Sequence, residues 1–171
     1  ETLSAIKADM AARGITLDAL DEYLHNRHAE EANKVAAERN KDADGNSTMP
    51  DGGSGINTAD ARAYLAALDP GKRKRLDAVA AKVDAIIAKT RQTLVGYGLE
   101  SQTVTDGWAS QFSHYVPLMR EDEGGGMGTG QGFSIKGKES KHRTDSTARV
   151  VDILSNIALQ RERAIVRGEK N

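Results

Sequence analysis

Cysteine is absent from this chain of 171 residues, which excludes disulfide bonds, thiolate nucleophiles and cysteine-ligated zinc. Aromatic residues are scarce at 4%, and no stretch approaches the roughly 18 consecutive apolar residues that a membrane span needs. The formal net charge of −1 gives no overall field that would draw the chain onto DNA or an anionic membrane. What apolar content there is comes mainly from Ala, Leu, Ile and Val, which suits helices packed through small side chains.

The longest amphipathic segment runs from Pro70 to Leu94. Asp69 is placed to cap its first turn, Pro70 occupies a position where a missing N–H has no consequence, and Gly96 with Gly98 is expected to end it. A helix this long cannot leave its apolar stripe in water, so other helices must cover it. The residues that recur at steps of three and four are Leu76, Val79, Ala80, Val83, Ile86, Ile87 and Leu94.

The remaining segments complete a single predicted domain over 1–171. N-terminal helices are expected over 3–13 and from 17 to about 41, central helices over 58–113, and a last helix within 144–171. A glycine-rich loop over 42–57 is expected to be either a mobile lid or an ordered Ω-type loop. In 114–143, residues 115–118 and 132–136 would pair around the glycine-rich stretch 121–132. The predicted fold is all-α, an irregular bundle of about six helices with one small β-hairpin or extended segment and a Gly-rich loop.

Local spacing also predicts particular side-chain contacts. Arg27 with Glu31, and Glu30 with Lys34, are oppositely charged at i,i+4 on one helix. Asn57 is expected to cap the helix that follows it, with Asp60 completing a capping box. Val104, Trp108 and Phe112 share one face of a short helix, so Trp108 is expected in the core.

Two partial metal motifs have simpler structural explanations. His25 and His28 lie at i,i+3 near two glutamates and could ligate a metal, but His28 also falls on the apolar stripe of its helix, which favours a buried, hydrogen-bonded histidine. The alternating oxygens of Asp42, Asp44 and Asn46 resemble the start of a calcium loop, yet the places for its Gly and Glu hold Ser47 and Gly53. An ordinary polar turn is favoured there.

Enzymatic motifs are equally partial. Gly132-x-x-x-x-Gly137-Lys138 resembles a phosphate-binding loop, but Glu139 stands where Ser or Thr is required and neither the strand nor the helix of that motif is predicted. No nucleophile with its base can be identified. A glycosidase-type carboxylate pair, such as Glu30 with Glu121 or Asp122, has no support from spacing. We therefore assign no catalytic residue, no metal site and no cofactor.

Two basic clusters are candidates for nucleic-acid contact. Four cations in the first turn of a helix oppose the positive end of its dipole, so some other interaction should favour them. Contacts with DNA phosphates, which do not depend on base sequence, would stabilise these cations. Solvation or a carboxylate elsewhere in the chain would also stabilise them. The clusters are Lys72, Arg73, Lys74 and Arg75, and Lys136, Lys138, Lys141 and Arg143.

A further set of residues resembles a region of very large tailed-bacteriophage proteins, the polyvalent or internal virion proteins that carry a Pro-Leu-x-Arg-Phe-Gly motif. The residues are Tyr23, Arg27, His28, Glu30, Tyr115, Pro117, Leu118 and Arg120, together with Asn33 and the 53–56 stretch Gly-Ser-Gly-Ile. Glu121 and Asp122 stand in place of the motif's Phe-Gly. The start at Glu1 instead of Met and the charged end at Asn171 are also expected for a fragment cut from a longer chain.

The resemblance implies a non-catalytic structural or interaction module of a virion-associated protein that is delivered with the genome to the host bacterial cell. Its partners would be other segments of the same large chain or other virion proteins, with DNA as a further candidate. A peptidoglycan- or nucleic-acid-processing enzyme domain and a DNA-contacting module are the alternatives. The oligomeric state is left open.

Overall fold

The computed structural model describes residues 2–118 and 153–170, which form an all-α arrangement of six helices. No strand occurs in these two ranges; a single antiparallel bridge joins Lys41 to Ser47. Residues 115–118 form neither a helix nor a strand, and the strand partner predicted for them at 132–136 lies outside the described residues, so the hairpin stays a prediction. The helices are α1 (Leu3–Ala12), α2 (Leu17–Arg39), α3 (Thr58–Ala67), α4 (Pro70–Gly96), α5 (Gln102–Gln111) and α6 (Ile153–Glu169).

Helix α4 is central to the packing. It contacts α1, α2, α5 and α6, while α3 packs against α2. Six of the seven residues predicted for its apolar stripe are buried, and Leu94 near its C-terminal end is half-buried. The core extends from this stripe to α1, to the first turns of α2 and to α6, through residues such as Ile6, Leu20, Leu24, Ile153 and Ile157.

Most helix ends form where the local sequence predicts them. The side chains of Thr16, Asp69 and Ser101 each accept a backbone N–H three residues on, at 3.2, 3.0 and 3.2 Å. Gly14 follows α1 with φ of 64°, a backbone conformation that favours glycine. Helix α4 ends at Gly96, and the positive φ comes two residues later at Gly98, so this end also lies where the two glycines predict it.

The cap of α3 was predicted wrongly. Asn57 makes no side-chain capping hydrogen bond. Instead the Asp51 carboxylate, six residues earlier in the loop, accepts the Thr58 N–H at 3.1 Å and the Thr58 hydroxyl at 2.7 Å. A carboxylate already at the helix N-terminus satisfies the free donor and interacts favourably with the helix dipole.

The orientation of α5 was also predicted wrongly. Trp108 is 37% exposed and Val104 is 40% exposed, whereas Thr105 is buried. The i,i+4 spacing correctly indicates that these two side chains share a face. A face can be apolar and still point to solvent, because the periodicity of a helix does not say which side its neighbour, here α4, will cover. Leu17, at the start of α2, is likewise 37% exposed.

Helix α6 closes the bundle against α4. Leu154 and Ile157 are buried, and Ala158 and Ile165 are half-buried. Residues 144–152 lie outside the described part of the chain. Near its end the backbone of Gly168 rests on the Tyr97 ring, so that a Cβ at this position would overlap the ring. None of the helices in the described ranges combines the length and apolarity that crossing a membrane requires.

Candidate functional site: the polar side of helix α2

Helix α2 has an unusual buried composition. Its buried residues include four polar side chains, those of Asp21, Asn26, His28 and Asn33, alongside apolar residues such as Leu20 and Leu24. Burying a polar group is unfavourable unless it is hydrogen-bonded. Asn26 and His28 have hydrogen-bond partners within α2 itself. Asn33 and several neighbouring polar side chains bond to other elements, and they define the candidate site.

Two side chains of α2 reach α4. The Tyr23 hydroxyl donates to the Asp77 carboxylate, and burial together with this bond raises the pKa of Tyr23 to about 12. Arg27 forms a two-pronged ion pair with Asp84, at 2.6 and 3.0 Å. The predicted Arg27–Glu31 pair is therefore wrong, because the guanidinium fork matches a carboxylate on the facing helix with two parallel hydrogen bonds.

His28 and Glu31 hold the segment that follows α5. His28 is 3% exposed; its Nδ1 lies 2.8 Å from a Glu31 oxygen, and the same oxygen accepts the His114 N–H at 2.8 Å. The His28 ring packs against the rings of Phe112 and Tyr115, with centroids 5.5 and 5.7 Å away. The expectation of a buried, hydrogen-bonded His28 is confirmed.

The segment over 115–118 lies against the helices. Val116 is 1% exposed and Pro117 is buried, while Tyr115 and Leu118 are half-buried against the core. The Tyr115 hydroxyl accepts a hydrogen bond of 3.2 Å from Gln160 of α6. This segment therefore joins α2 to α6. Arg120, the remaining member of the motif, lies outside the described residues.

The loop over 42–57 is held to α2 by Asn33. The amide oxygen of Asn33 accepts the Ser54 N–H at 2.8 Å, and its nitrogen donates to the Ile56 carbonyl at 2.9 Å and to the Thr58 hydroxyl at 3.0 Å. Gly53 comes so close to α2 that a Cβ there would overlap the Cβ of Ala36. Of the two expectations for this loop, the ordered one agrees with these contacts.

His25 makes a second attachment to the same loop. Its Nε2 lies 2.9 Å from the Ser54 carbonyl oxygen, and since a carbonyl only accepts, Nε2 carries the proton. Burial lowers the pKa of His25 below its usual 6.5. His25 and His28 thus point to different partners, and the described ranges contain no group of three or more His, Asp or Glu side chains placed to hold a metal ion.

A shallow groove between α2, this loop and α3 contains the carboxylates of Glu30 and Asp51. Glu30 pairs with Arg62 at 2.6 Å and with Lys34 at 3.7 Å, the latter as predicted. Hydrogen bonding from Arg62 lowers the pKa of Glu30, and hydrogen bonding from Thr58 lowers the pKa of Asp51. A carboxyl group that serves as a general acid near neutral pH needs the opposite, a raised pKa.

The partial calcium motif forms a turn. The Asp42 carboxylate accepts the backbone N–H groups of Asp44 and Asn46, both at 2.9 Å. This arrangement is an Asx-type turn, in which the side chain mimics a backbone acceptor. It agrees with the polar turn favoured from sequence.

The first basic cluster lies on the surface at the start of α4. Lys72, Arg73, Lys74 and Arg75 are all exposed, and none of them forms an ion pair with another residue of the described ranges. The second cluster, Lys136, Lys138, Lys141 and Arg143, lies outside those ranges, as does the Gly132 to Lys138 stretch.

The structure brings together the residues of the family resemblance and adds others. Tyr23 and Arg27 both bond to α4, Glu30 bonds to α3, and His28 packs against Tyr115. Sequence reasoning missed Glu31 as an acceptor for the 112–118 segment, and missed Asp77, Asp84 and Arg62 as partners. Asn33 carried a usable signal, because Asn is unfavourable inside a helix unless its side chain has a partner.

We compared the chain with models of protein families, with curated proteins and with solved structures, and none of them matches it.

Proposed function

We propose that this chain is a non-catalytic structural and interaction module of a large bacteriophage protein, either an internal virion protein or a polyvalent protein. The observation that supports a non-catalytic role is that the polar side chains of α2 are engaged in contacts within the fold. Tyr23 and Arg27 bond to α4, Glu30 bonds to α3, and Asn33 bonds to the loop over 42–57. His28 bonds to Glu31 within α2, and its ring packs against the segment that follows α5. Side chains that act on a substrate must instead present free acceptor, donor or nucleophilic atoms to it.

The phage setting rests on the resemblance of those same residues. When the residues of a motif stabilise the fold, the motif is evidence for a shared structure and not for a shared reaction. This agrees with a family whose members occur as modules of long multidomain chains. In such a protein the module would be carried in the virion and delivered with the genome to the host cell, and it would contact other segments of the same chain or other virion proteins.

The proposed location in the virion is tested by mass spectrometry of purified virions from a phage whose genome encodes this chain. Peptides from this chain are expected in particles separated from lysate by density gradient, at a constant ratio to the major capsid protein. Peptides found only in the lysate fraction would contradict the virion assignment.

The non-catalytic assignment is tested with the purified chain on the substrates of the rival enzyme proposal, peptidoglycan and nucleic acid. No product above the buffer control is expected. Product formation that falls in Glu30→Gln or Glu31→Gln, with unchanged helix content by circular dichroism, would overturn the proposal. Arg62→Gln is a matched control, because it removes the partner of Glu30 without removing a carboxylate.

A second candidate function, DNA contact, is favoured by the four exposed cations at the start of α4. Cations that replace counterions on phosphates make affinity depend on salt, with a slope of about 0.9 per phosphate contact on double-stranded DNA. Replacing Lys72, Arg73, Lys74 and Arg75 with Gln should lower that slope by about two to four in a titration of labelled duplex, if these residues contact DNA. A slope near zero for the unaltered chain would exclude phosphate contact.

A further inference from the structure

The end of the 42–57 loop and α3 are attached to the fold in a different way from α1, α4 and α6. We call residues 49–68 the α3 unit. Its helix packs against α2, and Ala61 is the one buried apolar residue of the unit, while Tyr64, Leu65 and Leu68 are half-buried against the core. Because burial of apolar surface is the main favourable term in packing, a unit that buries little of it depends more on polar contacts.

Three side chains of α2 form hydrogen bonds to the α3 unit. His25 donates from Nε2 to the Ser54 carbonyl at 2.9 Å, and Asn33 accepts the Ser54 N–H at 2.8 Å. Glu30 pairs with Arg62 at 2.6 Å. Two of these three attachments, those of His25 and Glu30, therefore contain a side chain of α2 whose charge depends on pH.

Protonation of His25 is unfavourable while the α3 unit is in place. The imidazole is half-buried and donates from Nε2 to a neutral carbonyl, and Gly55 lies beside the ring. The titratable group that acts on it is His28 of the same helix, whose positive charge would repel a second one, and no group of α3 acts on it. Burial lowers the pKa of His25 below 6.5, so a proton binds more tightly once the ring is released into water.

His28 has a different environment. Its Nδ1 lies 2.8 Å from the Glu31 carboxylate, which can hold a positive charge on the ring as an ion pair. The ring of His28 also packs against Tyr115, so the 112–118 segment keeps its contact with α2 when this histidine is charged. Mild acid should therefore weaken the attachment of the α3 unit and not that of the 112–118 segment.

We propose that the α3 unit opens from α2 as one piece, and that mild acid increases the fraction of open chains while α1, α4 and α6 stay packed. Opening uncovers the surface of α2 around Asn33 and Ala36, which the loop covers in the closed form. Access to this surface thus depends on pH. Glu30 extends the effect to lower pH, because hydrogen bonding from Arg62 holds the pKa of Glu30 below 4.5 and the ion pair is lost only when that carboxylate is protonated. The inference concerns the chain itself and does not depend on the virion setting.

The test is hydrogen exchange of the full chain at about pH 7.5 and about pH 5.5, on either side of the ordinary histidine pKa. It is followed by mass spectrometry and corrected for the intrinsic exchange rates at each pH. Amides over 61–67 in α3 should give an opening equilibrium constant at least about tenfold larger than amides over 79–90 in α4. The constant for α3 should rise about fivefold to tenfold at the lower pH, because each opening takes up about one proton.

Two variants separate the effect of the proton from that of packing. His25→Gln can still donate to the Ser54 carbonyl but takes up no proton, so the rise between the two pH values should shrink to within about twofold. Arg62→Gln removes the ion pair with Glu30 and should increase the opening constant about twofold to fivefold at both pH values, with the rise in acid retained. Arg163→Gln is the matched control, the same substitution at an exposed residue of α6, and should change neither quantity. Equal opening constants for α3 and α4, or a rise in acid that persists in His25→Gln, would overturn the proposal.

Discussion

Replacing Asn33, a buried polar residue of α2, should destabilise the protein. Asn33 is 2% exposed and makes three hydrogen bonds to the loop over 42–57 and the start of α3. In Asn33→Ala the Ile56 carbonyl keeps the Ser54 hydroxyl as a donor, and the Thr58 hydroxyl keeps the Asp51 carboxylate. The Ser54 N–H loses the hydrogen bond that Asn33 accepts from it.

The size of the effect follows from that difference. A buried donor left without a partner costs about 1–3 kcal/mol, and each of the two partly replaced hydrogen bonds contributes about 0.5 kcal/mol. Asn33→Ala should therefore lower the free energy of unfolding by about 2–4 kcal/mol, measured by urea denaturation followed by circular dichroism. Asn46→Ala is the control, because Asn46 is an exposed residue of the same loop and its replacement should change the value by less than about 0.5 kcal/mol.

Hydrogen exchange shows where the stability is lost. In the unaltered chain the Ser54 N–H should exchange slowly, and in Asn33→Ala it should exchange much faster than the amides of α4. A loss of stability below about 0.5 kcal/mol, or a Ser54 amide that stays protected in the variant, would refute the reasoning that Asn33 holds this loop to α2.

Three further predictions test other contacts. Tyr23→Phe and Asp77→Ala should each lower the free energy of unfolding by about 1 kcal/mol, and the double variant should lose no more than either alone; additive losses would mean that the hydroxyl and carboxylate do not interact. Because burial lowers the pKa of His25 below 6.5, the unfolded chain binds more protons than the folded one just below pH 6.5. The free energy of unfolding should therefore be highest above that pH and decrease as the pH falls toward the pKa of His25 in the folded chain. His25→Gln, whose amide can still donate to the loop carbonyl, should show a smaller decrease over the same range. Equal pH profiles of the two proteins would contradict this prediction. Gly168→Ala should destabilise the protein by about 1 kcal/mol in thermal melts, because the added methyl group displaces the Tyr97 ring. Gly96→Ala is the control: its methyl group meets open space, so it should stabilise the protein by up to about 1 kcal/mol. Equal effects of the two substitutions would contradict the packing assigned to Gly168.

The helices could be predicted from sequence because their signals are local. The capping side chains of Thr16, Asp69 and Ser101 act within one turn, and the stripe of α4 repeats at the helical period. The same signals fail where the decisive partner is distant. Asp51 replaces Asn57 at the start of α3, and the exposed face of α5 shows that periodicity identifies a face without saying what covers it.

The candidate site was predictable only in part, for a related reason. Spacing along a helix predicts Glu31, one turn away, as the partner of Arg27. It cannot predict Asp84, which lies 57 residues further along the chain. Placing Arg27 against Asp84 requires knowledge of how α2 and α4 pack. The residues Tyr23, Arg27, His28 and Glu30 came from the family resemblance and not from periodicity, and their shared role became visible only when the neighbouring elements were in place.

The polar content of α2 gives this fold its specificity. Apolar contacts tolerate small shifts between helices, whereas a buried hydrogen bond is lost when its partner moves away and leaves a costly unpaired group. If α2 moved by one turn relative to its neighbours, Glu31 would lose the His114 N–H, Asn33 would lose the Ser54 N–H, and Arg27 would lose Asp84. Because these partners belong to three separate elements, no single compensating shift restores them all. The polar side of α2 therefore favours one arrangement of the neighbouring elements over its alternatives.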